Sequence, residues 1–174
     1  KFSPNGLYLI VAYTHGTVKM IEIDTGREFR EFIGHTETTG DIEFLANGRQ
    51  LVTTSWDKSL RLWDLASGMQ LRKFNGHTDP VHAVAINAAG TKMASGGTDR
   101  RVILWDMATG KILQEFIGHK SIITAVEFSP DEKHLISSTI DGITKVWDLE
   151  TKQVVVTHFS IGSKDWLVTT PQGF

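Results

Sequence analysis

Three sets of residues in this chain could in principle assemble a nucleophile, a base and an orienting acid. They are Thr53 with His35 and Asp57, Ser95 with His77 and Asp99, and Ser137 with His119 and Asp141. A hydroxyl beside an imidazole whose far nitrogen meets a carboxylate is the arrangement that activates an alcohol, so any one set alone suggests acyl transfer. Repetition argues against that reading. The sets recur every 42 residues, and each precedes a tryptophan at fixed offset, namely Trp63, Trp105 or Trp147. An enzyme needs one active site, whereas a repeated unit needs the same brace in each copy. These residues are therefore expected to be structural, and no catalytic residue is expected in the chain. His35, His77 and His119 belong to different units, and no pair of histidines has the close helical spacing of a zinc motif, so no metal site is expected. No cofactor is expected either, because the glycines fall at strand connections and none forms a phosphate-cradling loop ahead of a helix.

Composition narrows the function classes further. The 174 residues are 40% hydrophobic and 22% charged, which suits a chain that folds around a core. A net charge of -2, with Lys and Arg scattered, leaves no electrostatic footprint for nucleic acid. The absence of cysteine excludes disulfides, thiolate zinc sites and a cysteine nucleophile. No apolar run approaches the roughly 20 residues of a membrane helix and no signal-peptide pattern opens the chain, so a soluble, cytoplasmic protein without a membrane partner is expected.

The elements that must position the repeated residues follow from the same 42-residue period. Gly34-His35, Gly76-His77 and Gly118-His119 keep it, as do Trp63-Asp64, Trp105-Asp106 and Trp147-Asp148. Fixed long periods mark stacked supersecondary units. Aligning the chain on itself gives units near 1–42, 43–84, 85–126 and 127–168, followed by a partial strand to 174. Each unit reads as four short segments separated by turn signals about ten residues apart, the pattern of an antiparallel meander. In the third unit the expected strands are Val81 to Asn87, Lys92 to Gly97, Arg101 to Asp106 and Lys111 to Ile117. No segment reads as a helix.

Gly6, Gly48 and Gly90 share one turn position, and Gly26, Gly68 and Gly110 share another. Glu132 and Lys152 replace them in the last unit, where the turns must change geometry or accept strain. Along the third strand of each unit, alternation gives one apolar face and one mixed face, the latter carrying Lys19, Arg61, Ile103 and Lys145. A sheet of this size cannot bury an apolar face alone, so neighbouring units are expected to stack. The chain opens on Lys1-Phe2-Ser3-Pro4-Asn5-Gly6, which matches the end of an innermost strand and its turn, so a piece of a longer or processed chain is expected.

The order Gly-His, Asp, then Trp-Asp resembles the WD-repeat family of β-propellers over practically all of residues 1 to 160, with the full signature in three units. The resemblance implies an all-β propeller of four blades, each a four-stranded antiparallel meander, with the first lacking most of its innermost strand. It also implies a hydrogen-bonded chain in each full unit: Trp63, Thr53, His35 and Asp57; Trp105, Ser95, His77 and Asp99; Trp147, Ser137, His119 and Asp141. The first unit departs from the pattern, with His15 at the Asp position, Ile21-Glu22 for Trp-Asp and Val11 for the hydroxyl, so it should lack that chain. Ser160-Ile161 stand where a fourth Gly-His is due, and Trp166 to Gly173 look like the first strand and turn of another unit.

Members of this family act mostly as interaction platforms, their recognition carried by variable loops on a fixed frame. The residue before the corner Asp varies here as Thr14, Trp56, Thr98 and Ile140, and the position opening the first strand varies as Gly40, His82 and Thr124. By resemblance both sets line a rim around the channel. Trp56 and Ile140 are large apolar residues where small or polar ones are ordinary, so Trp56, Ile140, His82, Thr98, Thr124 and Thr14 form the candidate partner-binding set. The alternative for Trp56 is packing against the next blade. The function implied is a non-enzymatic scaffold for a protein or peptide, with self-association if the four blades do not close. A second reading makes the chain the sensor or regulatory part of a larger enzyme, because Asp165 to Phe174 resemble junctions that join WD repeats to bacterial caspase-like peptidase domains.

Overall fold

The repeat is realised as a series of small sheets. The computed structural model describes residues 1–161 and 165–171. The first sheet holds β1 (Tyr8–Ala12), β2 (Val18–Glu22) and β3 (Glu28–Phe32). The second holds β4 (Thr39–Phe44), β5 (Gln50–Ser55), β6 (Ser59–Asp64) and β7 (Gln70–Asn75). The third holds β8 (Val81–Ile86), β9 (Lys92–Gly97), β10 (Arg101–Asp106) and β11 (Ile112–Ile117), close to the spans read from the sequence. The fourth holds β12 (Ile123–Phe128), β13 (His134–Thr139), β14 (Ile143–Asp148), β15 (Val154–Ile161) and β16 (Asp165–Thr169). Strands pair antiparallel in sequence order throughout, so each sheet is a meander and forms one blade.

Stacking explains the composition of the middle strands. In β10, Ile103 and Trp105 pack backward onto Val52, Leu60 and Leu62 of the second blade. Val102 and Leu104, on the other face, pack forward onto Ile123, Val126 and Leu135 of the fourth. Alternation therefore serves two cores at once, and a strand covered on both faces reads as a nearly continuous apolar run. The mixed face expected from the sequence is also covered in the middle blades, where Arg61 of β6 and Ile103 of β10 are buried, while Lys19 and Lys145 are only half-buried. The outermost strands are wetter, with Gln70, Leu71, Lys73 and Asn75 of β7 exposed and Phe74 buried.

The first blade is short in the way its sequence foretells. The N-terminal amine of Lys1 donates to the carbonyl of Ile10 at 3.0 Å, Ile10 N–H donates back to Lys1 at 2.8 Å, and Phe2 bridges Leu9. Those two residues lie on the side of β1 where the other blades carry their innermost strand.

One alternative is settled and one expectation changes. Glu132 and Lys152 keep the glycine geometry, with φ of 56° and 63° beside 67° at Gly90 and 75° at Gly110, so these turns accept strain and do not change type. The segment from Trp166 does not open a new inner strand. Within β16 it pairs antiparallel with β15, Ser160 opposite Trp166 and Phe159 opposite Leu167, and adds a fifth strand to the outer edge of the fourth blade. It does not fill the gap in the first blade. The physical reason is proximity: β15 presents an unpaired edge only a few residues away in sequence, and a short connection closes at little entropic cost. Residues 172–174, the remainder of the tail that suggested a junction, lie outside the described residues.

Candidate partner-binding rim and its bracing network

The bracing network is built between three positions of each blade: the approach to the first strand, the second strand and the third. In the second blade, Trp63 Nε1 donates to Thr53 Oγ1 at 2.8 Å, Thr53 Oγ1 lies 2.7 Å from His35 Nε2, and His35 Nδ1 lies 2.8 Å from Asp57 Oδ2. The third blade repeats it with Trp105, Ser95, His77 and Asp99 at 2.8, 2.7 and 2.8 Å. The indole can only donate and the carboxylate only accept, which fixes the direction. Indole N–H gives to hydroxyl oxygen, hydroxyl gives to Nε2, and Nδ1–H gives to the carboxylate.

Hydroxyl, imidazole and carboxylate have the geometry of a hydrolytic triad, yet the arrangement cannot act as one. Thr53, Ser95 and Ser137 are 0% exposed, and each hydroxyl oxygen already receives an indole N–H. No substrate carbonyl can reach them.

Each carboxylate is held from several sides. Burial opposes ionisation of Asp57, but hydrogen bonds from His35 and Ser59 outweigh it and hold the carboxyl well below its ordinary range. Burial likewise opposes Asp99, and the bond and electrostatic attraction from His77, with the Thr78 and Arg101 N–H groups, bring that carboxyl down to about 2. A guanidinium joins in each case from a different sequence position: Arg61 approaches Asp57 at 3.6 Å, while Arg101 Nη2 bonds Asp99 at 3.0 Å. Sequence reading missed both arginines, because the repeat gives them no common register. The Asp of each Trp-Asp pair belongs to a different device. Asp64 Oδ1 accepts from Ser67 N and Oγ at 2.8 and 2.7 Å, and Asp106 does the same with Thr109, closing the turn after the third strand.

The fourth blade departs from its predicted network. Trp147 and His119 both meet Ser137 at 2.7 Å, but Asp141 does not take up the imidazole. Asp141 is exposed and accepts from Thr139 Oγ1 at 2.5 Å, leaving His119 Nδ1 buried without a partner among the described residues. The position two residues before the Asp decides this. Ser55 in the second blade turns its hydroxyl to the carbonyls of Glu37 and Thr38, and Gly97 in the third has none, whereas Thr139 bonds Asp141 and the Ile143 carbonyl. Burial, reinforced by the charge of Lys145 against only partial help from Asp141, lowers the His119 pKa to about 4. In the first blade His15 is exposed at the corner and meets the Tyr13 ring at 5.8 Å.

At the same end of the strands lies the rim. Trp56 is 48% exposed at the corner between β5 and β6, and its ring meets His82 of the next blade edge-on, with centroids 6.1 Å apart. His82 Nε2 in turn lies 2.8 Å from Thr98 Oγ1, and burial lowers the His82 pKa. Gly40, which opens the first strand of the second blade, lets the next blade approach closely: a Cβ there would meet Thr54 Oγ1 at 2.7 Å and the Val81 carbonyl oxygen at 3.1 Å. The structure thus brings Trp56, His82 and Thr98 together across two blades. The other candidates are held by contacts of their own. Thr14 accepts Thr38 Oγ1 through its carbonyl at 2.8 Å, Thr124 Oγ1 reaches Ser138 O at 3.4 Å, and Ile140 is 69% exposed at the fourth blade's corner. Trp56 leans on its neighbour and keeps about half its surface exposed.

Among the described residues no group of His, Asp or Glu is placed to hold a metal ion, and no helix is long and apolar enough to cross a membrane. No curated protein matches the chain. The family model described as WD domain, G-beta repeat, matches residues 26–64, 68–106 and 110–148, each match ending on the Asp of a Trp-Asp pair. With three matches covering most of its length, and with blades of the expected meander, this chain belongs to the WD40 repeat family.

Proposed function

We propose that the chain binds a protein or peptide through the rim where its second and third blades meet, with Trp56 as the apolar anchor and His82 and Thr98 as polar flank. WD40 repeat domains typically serve as interaction scaffolds and generally bind proteins. The observation that carries this more specific reading is the Trp56–His82–Thr98 relay. A half-exposed indole is propped by an imidazole that a threonine holds at 2.8 Å, so the large ring is already ordered before any partner arrives. Aromatic side chains presented in this way supply much of the binding energy of interfaces. Ile140 adds exposed apolar surface on the fourth blade.

The test is selection of binders from a displayed random peptide library, followed by titration against Trp56→Ala and Ile140→Ala. Loss of roughly tenfold or more in affinity at Trp56→Ala, with melting unchanged, supports the site. Equal affinity, or a large fall in melting temperature, assigns Trp56 to packing.

A further inference from the structure

The opposite ends of the strands carry a second feature. A cleft of about 790 Å³ lies between the first and second blades, against about 470 Å³ for its counterpart between the second and third. One period relates the two linings position by position. Ser3 replaces Leu45, Tyr8 replaces Gln50, Phe29 replaces Leu71 and Arg49 replaces Thr91.

The first exchange accounts for the extra space. Leu45 is buried, belongs to the core between its blade and the next, and fills the smaller cleft up to the facing turn, where a Cβ on Gly90 would stand 3.8 Å from Leu45 Cδ2. Ser3 is turned back into its own turn, donating to Asn5 Oδ1 at 2.7 Å and accepting Tyr8 N–H at 2.9 Å. The matching glycine of this cleft, Gly48, would find nothing within 4 Å of its Cβ.

What faces the opened space is largely apolar, and Arg49 is the one cation among the described lining residues. Tyr8 and Phe29 form an aromatic wall with ring centroids 5.1 Å apart, Phe29 being 49% exposed, over the buried side chains of Met20 and Leu65. Asp64 is committed to Ser67 and feels the positive field of Arg30. Arg49 is exposed at the cleft, and its guanidinium makes no hydrogen bond or ion pair among the described residues. Surface turns on both sides supply the lining, so an extended chain can lie across it.

We propose that this cleft is a second binding site, separate from the rim, for an extended peptide that inserts a phenylalanine side chain between Tyr8, Phe29 and Met20 and sets an adjacent acidic residue against Arg49. The volume suits one large side chain with its flanking backbone, and the carboxylate supplies the counter-charge that Arg49 lacks.

The test uses a fluorescein-labelled Gly-Phe-Glu-Gly peptide, its C-terminus amidated so that the glutamate is the acid read, and follows anisotropy on the whole 174-residue chain. Saturable binding below about 1 mM is expected, as suits one anchored side chain. Ser3→Leu, which installs the residue of the filled cleft, is expected to weaken binding by roughly tenfold or more, and Arg49→Thr by about tenfold. Replacing Glu by Gln in the peptide should cost the parent chain a similar factor but cost Arg49→Thr little. Absence of saturation, or unchanged binding by Ser3→Leu with its melting intact, overturns the proposal. Should Ser3→Leu fail to fold, equal affinity of Arg49→Thr overturns it. Trp56→Ala is expected to bind the peptide as the parent does; if it does not, the peptide sits on the rim and the cleft proposal falls while the rim reading stands.

Discussion

Replacing Asp99 by Ala removes the acceptor at the end of an intact brace, whereas replacing Asp141 removes a carboxylate its histidine does not use. Asp99 Oδ2 accepts from His77 Nδ1 at 2.8 Å, Thr78 N at 3.1 Å and Arg101 Nη2 at 3.0 Å, and Oδ1 accepts Arg101 N at 3.2 Å. Without it, an imidazole N–H whose side chain is 0% exposed is left unsatisfied, while Arg101 retains Glu115 at 2.9 Å and the Gly76 carbonyl at 2.6 Å. The cost is about 2 to 3 kcal/mol, dominated by the stranded imidazole. Asp141→Ala deprives only Thr139 Oγ1, which keeps the Ile143 carbonyl at 3.0 Å, so its cost stays below about 1 kcal/mol. Protonation offers an independent measure. The Asp99 carboxyl lies at about 2 against an ordinary 3.8, and that gap is worth about 2 kcal/mol. Because the folded pKa is depressed, this stability is fully present above 3.8 and is lost as pH falls through about 2. The assay is urea unfolding at pH 7, repeated downward in pH. Two results refute the reasoning: Asp99→Ala within about 0.5 kcal/mol of the parent, or Asp141→Ala as costly as Asp99→Ala.

His119 should stay neutral until about pH 4. With its pKa depressed from 6.5, its contribution of about 3 kcal/mol is present above 6.5 and lost as pH falls through about 4, and a ring titration midpoint above 6 by NMR would contradict this. Lys152→Gly should raise stability by about 1 kcal/mol by relieving a φ of 63°, whereas Gly110→Ala at the equivalent turn should lower it, as thermal melts would show. Gly96→Ala should cost about 1 to 3 kcal/mol in urea unfolding, because its Cβ would fall 2.3 Å from Ile123 Cγ2 of the next blade. Glu132→Ala should loosen the third and fourth blades, since Glu132 bonds Asn87 Nδ2 and Ala88 N, both at 2.9 Å; faster hydrogen exchange at Ala88 would report it.

The meander of each blade was legible because turn chemistry and strand alternation recur in phase, and the short first blade because Lys1-Phe2 align with the end of an inner strand. Two of the three braces were legible for the same reason. The third failed over Thr139, a residue outside the motif whose single hydroxyl redirects a carboxylate. Arg61 and Arg101 were illegible because two different strand positions deliver a guanidinium to the same place, something visible only once strands are paired. The fate of β16 was misread since its register matches an inner strand, while the nearest unpaired edge belonged to β15. On the rim, the sequence marked Trp56 as unusual but could not show that His82 and Thr98 hold it in place.

The uneven bracing of the blades also sets an order of unfolding. In a stack where each unit leans only on its neighbours, local opening begins where the intrinsic term is weakest. Here that is the first blade, which has no brace, and the fourth, whose brace is open at Nδ1. The two fully braced blades are the ones bridged by Trp56, His82 and Thr98, so the proposed recognition surface rides on the part of the molecule that lets go last.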